Sequence, residues 1–168
     1  MNIDARAILS LLRARHDSIA WVYVEELRCG TGYDYGVGKR VGHKWVRNAR
    51  WERRIDAFAM SFYPSRKFER IAYEVKVSRS DFLREIADPN KREMAMSLSN
   101  RFYYVAPKGM IGRDDVPEDC GLITVGYPED KNYLVAYTLV LAPFRDVPDP
   151  PLRFVASLVR RARDKAPH

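Results

Sequence analysis

The sequence predicts a mixed α/β domain, and three patterns carry that expectation. Amphipathic helical periodicity opens and closes the chain, at Ile3–Arg15 and Pro150–Lys165. Between them, runs rich in β-branched and aromatic residues are separated by turn residues. A helix-start signal, Ser78-Arg79-Ser80-Asp81, follows directly on one of those runs, so strands and helices alternate within one sheet. At 168 residues the chain suits a single domain, 1–168, large enough to bury a substantial core.

Taken in order, Ile3–Arg15 sets Ile3, Ala7 and Leu11 on one stripe with Ile8 and Leu12 beside it. Charges interrupt the stretch, so it reads as a helix and not as a secretion signal. Trp21–Leu27 (WVYVEEL) is divided: Trp, Val and Tyr favour a strand, while Glu-Glu-Leu tolerates a helix. Five of the nine glycines fall at positions 30, 32, 36, 38 and 42, which reads as a loop or flap. It contains no GxxxxGK[ST] phosphate loop. Arg54–Phe62 and Arg70–Ser78 read as strands joined by a turn at Tyr63–Lys67. The capping box at Ser78 starts a helix to about Ala87, and Asp88-Pro89 ends it and begins another through about Leu98, with Met94 and Leu98 inward. Arg101–Ala106, Gly121–Val125 and Asn132–Leu141 are further strands. The closing helix turns Val155, Leu158, Val159 and Ala162 inward.

Composition narrows the function classes. Hydrophobic residues at 46% and charged residues at 30% exclude a disordered chain. Asn132–Pro143 is too short to span a membrane, and a cytoplasmic protein is expected, in a bacterial cell and phage-encoded or not. Cys29 and Cys120 sit in no CxxC and build no disulfide framework, so no disulfide-linked partner is expected. His16, His43 and His168 are scattered, which opposes zinc and leaves a cation held by oxygen, Mg²⁺ or Mn²⁺. Net charge is +7, and Lys39, Arg40, Lys44, Arg47, Arg50, Arg53 and Arg54 face one acid, Glu52. Such density points to a polyanion such as DNA, because phosphate contacts dominate nucleic-acid affinity. A solvated charged face explains the run as well when it is taken alone.

Acids in the two strand-like runs need a reason, since Asp and Glu are poor strand residues and unfavourable to bury. With a hairpin around Tyr63–Lys67, Phe62 lies across from Phe68 and Asp56 across from Glu74, with Cβ atoms about 4.5–5.5 Å apart. Lys76 is one step along on Glu74's face. Carboxylates that close repel unless a cation sits between them. A hard cation there binds a phosphate oxygen and activates water, while Lys76 orients or deprotonates the water or offsets charge on phosphorus. The competing explanation is a surface ion cluster without function. A slip of one residue in register removes the site.

At these residues the sequence resembles a family. Asp56…Glu74-Val75-Lys76 looks like the D…ExK arrangement of the PD-(D/E)xK nucleases. The longer block RIDAFAM…YEVKVSRSDFLRE, with RFYYVAP and VPEDCGLITV downstream, is similar to MmcB-like endonucleases ascribed to DNA repair and related phage-encoded proteins, over roughly Glu26 to Val125. The resemblance implies a restriction-endonuclease-like core: a helix, a three-stranded antiparallel meander, a helix and a further strand, inside a mixed sheet flanked by helices. It implies that Asp56 and Glu74 bind Mg²⁺ or Mn²⁺, that the Val75 carbonyl adds a ligand, and that Lys76 is catalytic. It further implies an auxiliary glutamate from the first core helix, here Glu26 with Glu25 as rival. Ile55 stands where the family has proline.

For DNA contact the candidates are Lys39, Arg40, Lys44, Arg54, Ser78 and Arg79. The two serines also suit helix capping alone. Lys91 and Arg92 are weaker candidates that a solvated helix face explains better, and Tyr33, Tyr35 and Trp45 are candidates to stack on unpaired bases, with core burial the equal alternative for Trp45. The expected activity is metal-dependent DNA hydrolysis, endonucleolytic rather than exonucleolytic, in repair or phage DNA processing. The rival is a non-catalytic nucleic-acid-binding protein on the same fold. A small-molecule hydrolase is disfavoured by the basic surface.

Overall fold

A computed structural model describes residues 3–29, 39–41, 44–46 and 53–164, with side chains at 3–28 and 54–164. Helix α1 (Ala5–Arg15) starts where the Asp4 carboxylate accepts the Ala7 N–H at 2.8 Å, and it buries Ile8 and Leu12. Strand β1 (Trp21–Cys29) resolves the divided segment in favour of extended chain. Short strands β2 (Lys39–Val41) and β3 (Lys44–Val46) pair antiparallel as a separate ribbon, Arg40 opposite Trp45. Positions 39–41 are therefore strand where a loop was expected, and 30–38 lie outside the described residues.

Strand β4 (Arg53–Ser61) pairs antiparallel with β1, and β5 (Arg70–Val75) antiparallel with β4. Helices α2 (Arg79–Ile86) and α3 (Asn90–Leu98) form a crossover to β6 (Arg101–Pro107), which runs parallel to β5. Strand β7 (Gly121–Gly126) is parallel to β6, β8 (Val135–Val140) is antiparallel to β7, and α4 (Leu152–Arg163) ends the described chain. The described residues form an α/β fold with a six-stranded mixed sheet, ordered β1-β4-β5-β6-β7-β8, and four α-helices.

The sheet is buried on both faces. Ile8 and Leu12 of α1 share one core with Ala57, Ala59, Tyr73, Tyr103 and Val125. Phe82, Ala95, Phe154 and Leu158, from α2, α3 and α4, share the other with Phe58 and Tyr104. The closing helix is rotated from its expected pose. Phe154 is buried, edge-on to Phe58 at 5.2 Å, and Val159 is exposed, so Val159 does not face inward as its spacing implied. Gly121 is required by close approach: a Cβ there would strike the Tyr103 ring and lie 2.7 Å from the Ala142 amide nitrogen.

Residues 141–151 contain no helix or strand and cross the sheet end as a strap. Buried Arg70 holds it, donating to Pro148 O at 2.9 Å and Val147 O at 3.1 Å, while Asn100 Nδ2 donates to Arg145 O at 3.0 Å. No helix among the described residues is long and apolar enough to cross a membrane, and Cys120 is a buried free thiol.

His16 lies buried against the Trp21, Tyr23 and Tyr73 rings, with Nε2 2.7 Å from Tyr73 Oη. Burial, reinforced by Arg15, pushes the imidazole down to about 4 from 6.5. The unfolded chain then binds more protons than the fold between those values. Stability is expected to be full above pH 6.5 and to fall as pH drops toward 4, with a His16→Gln protein losing that part of the slope in urea midpoints measured against pH.

Candidate functional site

In β4 and β5, Ala57 pairs with Tyr73 and Phe58 with Ala72. Ala57–Tyr73 is the last pair of the ladder, and Asp56 and Glu74 are the next residues beyond it. There the backbone ladder gives way to a side chain: Asp56 Oδ2 accepts the Val75 N–H at 3.0 Å. Glu74 also lies opposite Tyr104 of β6, so it occupies an interior strand. β5 ends at Val75, yet Lys76 continues the pairing by donating its N–H to Val105 O at 2.9 Å. That fixes the lysine's backbone, and its ammonium turns back to Glu74 Oε1 at 2.7 Å. Glu85 Oε2, from α2, is 3.6 Å from the same nitrogen.

These side chains are largely sequestered, with 24% of Asp56, 19% of Glu74, 11% of Lys76 and 13% of Glu85 exposed. A cavity of about 250 Å³ lined by Lys76, Val77, Asp81, Arg84, Glu85 and Lys91 opens beside them. Burial first, and then the Asp56 charge, push the Glu74 carboxyl up to about 7 against the pull of Lys76. Lys76 moves up as well: burial opposes its charge, but Glu74, Glu85 and Asp56 together more than offset that. The lysine is held as an ammonium.

The two glutamates of β1 part company. Glu25 turns to the α1 face, is buried, and accepts Arg13 Nη2 at 2.7 Å. Glu26 lies between the pairs Glu25–Ala57 and Leu27–Ile55 of the β1–β4 ladder, level with Asp56. Arg54 links the two, with Nη1 3.4 Å from Glu26 Oε1 and Nη2 4.0 Å from Asp56 Oδ1, and Arg161 Nη2 of α4 reaches Glu26 Oε2 at 3.4 Å. Of the two candidate auxiliary acids, the one linked to Asp56 is therefore Glu26, on a strand where the resemblance implied a helix. Glu26 has φ 53°, a left-handed conformation uncommon outside glycine. Face alternation also breaks here: Val24 and Leu27, three residues apart, enter one core, as do Ile55 and Phe58.

The candidate DNA contacts are spread differently. Lys39, Arg40, Lys44 and Trp45 have their backbones on the β2–β3 ribbon, and their side chains lie outside the described residues, as do Tyr33, Tyr35, Arg47 and Arg50 altogether. The chain leaves the sheet at Cys29 and rejoins it at Arg53, its partner in the ladder, three residues before Asp56. Arg79 is committed elsewhere: it grips Asp115 with both Nη atoms at 2.9 Å and donates to Met110 O. Ser78 Oγ lies 2.7 Å from Ser80 Oγ and does not cap α2, so the expected capping box is not formed. Asp81 pairs with Arg84, Lys91 Nζ is 3.4 Å from Arg84 O, and Arg92 is mostly buried near Asp119.

Glu85 escaped the sequence reading. Its signal is its place three residues after Phe82, on the helix stripe that Phe82 buries.

Among the described residues, no three His, Cys, Asp or Glu side chains form a metal-holding group. Two carboxylates of β4 and β5, with the Val75 carbonyl and water, nonetheless suit a hard cation that retains much of its hydration. The mutual repulsion felt by Glu74 and Asp56 is what such a cation relieves.

No protein-family model matches the chain, and no curated protein matches it. Among solved structures, it is similar to the SPO1766 protein of unknown function from Silicibacter pomeroyi, at 19% identity and a TM-score of 0.56, over 98% of this chain and 87% of that one. The likeness is one of fold alone.

Proposed function

We propose that this protein is a divalent-metal-dependent nuclease that hydrolyses phosphodiester bonds of DNA, with Asp56 and Glu74 as cation ligands and Lys76 as the catalytic lysine. One observation carries the reading: the Asp56 carboxylate of β4 bonds the β5 backbone at Val75, next to Glu74, and the Lys76 ammonium is held on Glu74. The order α1, β1-β4-β5 meander, α2–α3 crossover and parallel β6 agrees with a restriction-endonuclease-like core. The left-handed backbone at Glu26 adds weight, because such conformations collect at functional sites.

In this reading Asp56 and Glu74 hold Mg²⁺ or Mn²⁺, assisted by the Val75 carbonyl. When bound, the cation supplies a Lewis acid that polarises a phosphate oxygen and acidifies water. The Val75 N–H fixes Asp56 through Oδ2, and Oδ1 stands 4.0 Å from Arg54 Nη2. Lys76, kept charged by its carboxylate neighbours, acts by offsetting negative charge on phosphorus and orienting water. Glu26 is an auxiliary acid whose two arginine partners, Arg54 and Arg161, are available to a phosphate. The sequence between Cys29 and Arg53, whose ends pair in the sheet three residues before Asp56, is rich in Lys and Arg, which suits a phosphate backbone. An endonuclease acting in the cytoplasm, in repair or phage DNA processing, rests on the sequence resemblance.

The test is purified protein with Mg²⁺ on linear, circular, single-stranded and branched DNA, with Lys76→Ala as control. Cleavage by the parent alone supports the proposal. Salt-sensitive DNA binding without turnover supports a purely binding protein on this fold. A pH signature accompanies the cation site. Below about 7 Glu74 is protonated, so a cation must displace that proton, and Mn²⁺ affinity measured by calorimetry is expected to fall as pH drops below 7 and to level off above it.

A further inference from the structure

A cation on Glu74 competes with Lys76 for the same carboxylate. The Lys76 ammonium occupies Glu74 Oε1 at 2.7 Å, in a pocket where little water reaches either group. A dication drawn to the same carboxylate repels that ammonium, and a mostly buried lysine needs another anion in reach. Glu85 is that anion. It approaches from α2, is itself mostly buried, and stands 3.6 Å from Lys76 Nζ, just beyond hydrogen-bond length. It is not gathered with Asp56 and Glu74 into a metal-holding group. The cavity lined by Lys76, Glu85, Arg84 and Lys91 leaves room for the lysine tip to swing.

Resting on the cation-site reading above, we infer that Glu85 is a positioning residue that takes Lys76 over from Glu74 when a divalent cation binds. In the free protein the ammonium lies between two carboxylates and bonds the nearer. On cation binding Glu74 Oε1 is released to the metal, the Lys76–Glu85 contact shortens to a hydrogen bond, and the ammonium stays beside the phosphate position. No proton or covalent bond changes hands. Glu85 thus acts through Lys76 and touches neither metal nor substrate.

The test is a double-substitution cycle on the full chain without DNA, reading Mn²⁺ affinity from free Mn²⁺ by electron paramagnetic resonance. Glu85→Gln is nearly isosteric and removes only the charge. It is expected to weaken Mn²⁺ about tenfold, the scale of one charge-assisted hydrogen bond. In a Lys76→Met background nothing competes for Glu74, and the same change is expected to have an effect of about threefold or less, that of a distant charge. Equal effects in both backgrounds overturn the handover while leaving the cation site standing. Failure of the parent protein to bind Mn²⁺ removes the cation site itself. Independently of variant folding, a Mn²⁺-bound crystal structure is expected to show Lys76 Nζ closer to Glu85 than to Glu74, and an unchanged Lys76–Glu74 bond contradicts the inference.

Discussion

Replacing Lys76 by alanine is expected to slow Mg²⁺-dependent DNA cleavage by roughly three orders of magnitude, the scale of a lost electrostatic stabiliser in a catalytic site. DNA affinity at fixed salt should change little, because at most one phosphate contact is lost among many basic groups. Asp56→Ala should match the cleavage defect but leaves the Val75 N–H without its acceptor. Asp56→Asn separates the two effects: it keeps an acceptor for that N–H, removes the charge that repels Glu74, and should fold at least as stably while remaining inactive. Single-turnover cleavage and urea unfolding on the same preparations read both quantities. Metal-dependent cleavage at the parent rate in either variant rejects the assignment of Asp56 and Lys76.

Arg70→Ala is expected to lower stability by about 2–4 kcal/mol, because a buried guanidinium bonded to two carbonyls is lost with its charge-assisted hydrogen bonds. Its Nη atoms reach Val147 O and Pro148 O, and its backbone N–H is taken by Asn100 Oδ1 at 2.9 Å, so one residue joins β5, the start of β6 and the strap. Arg70→Lys keeps the charge but lacks the fork needed for two carbonyls, and should fall between. The urea midpoint should shift at constant m-value, and a loss below about 1 kcal/mol would show that the strap is held by its apolar contacts instead.

How far the sequence spoke depended on whether the deciding interactions were local. The β4–β5 register was legible because a short turn at Tyr63–Lys67 joins two apolar runs and leaves one register that buries Phe58 and Ala72 together. The helical crossover was legible from Asp88-Pro89 and from Met94 and Leu98, which pack on the core. Trp21–Leu27 was not, because its Glu-Glu pair is stabilised at a distance: Glu25 by Arg13, twelve residues earlier, and Glu26 by Arg54 and Arg161. The rotation of α4 depends on Phe154 meeting Phe58, which no periodicity within the helix encodes. Ser78 reads as a cap, yet its hydroxyl turns to Ser80 and Arg79 turns to Asp115, a choice set by the 108–120 loop docking beside α2. Glu85 shows the same limit at the site itself. Its helix stripe is visible in the sequence, but its distance to Lys76 exists only once α2 is packed.

The proposed function rests on a divalent cation held by Asp56 and Glu74. The direct measurement is anomalous diffraction from crystals soaked in Mn²⁺ at a pH above 7, where Glu74 is ionised. A single strong peak bound by both carboxylates is the predicted result. Saturating Mn²⁺ with no peak between those two side chains would contradict it.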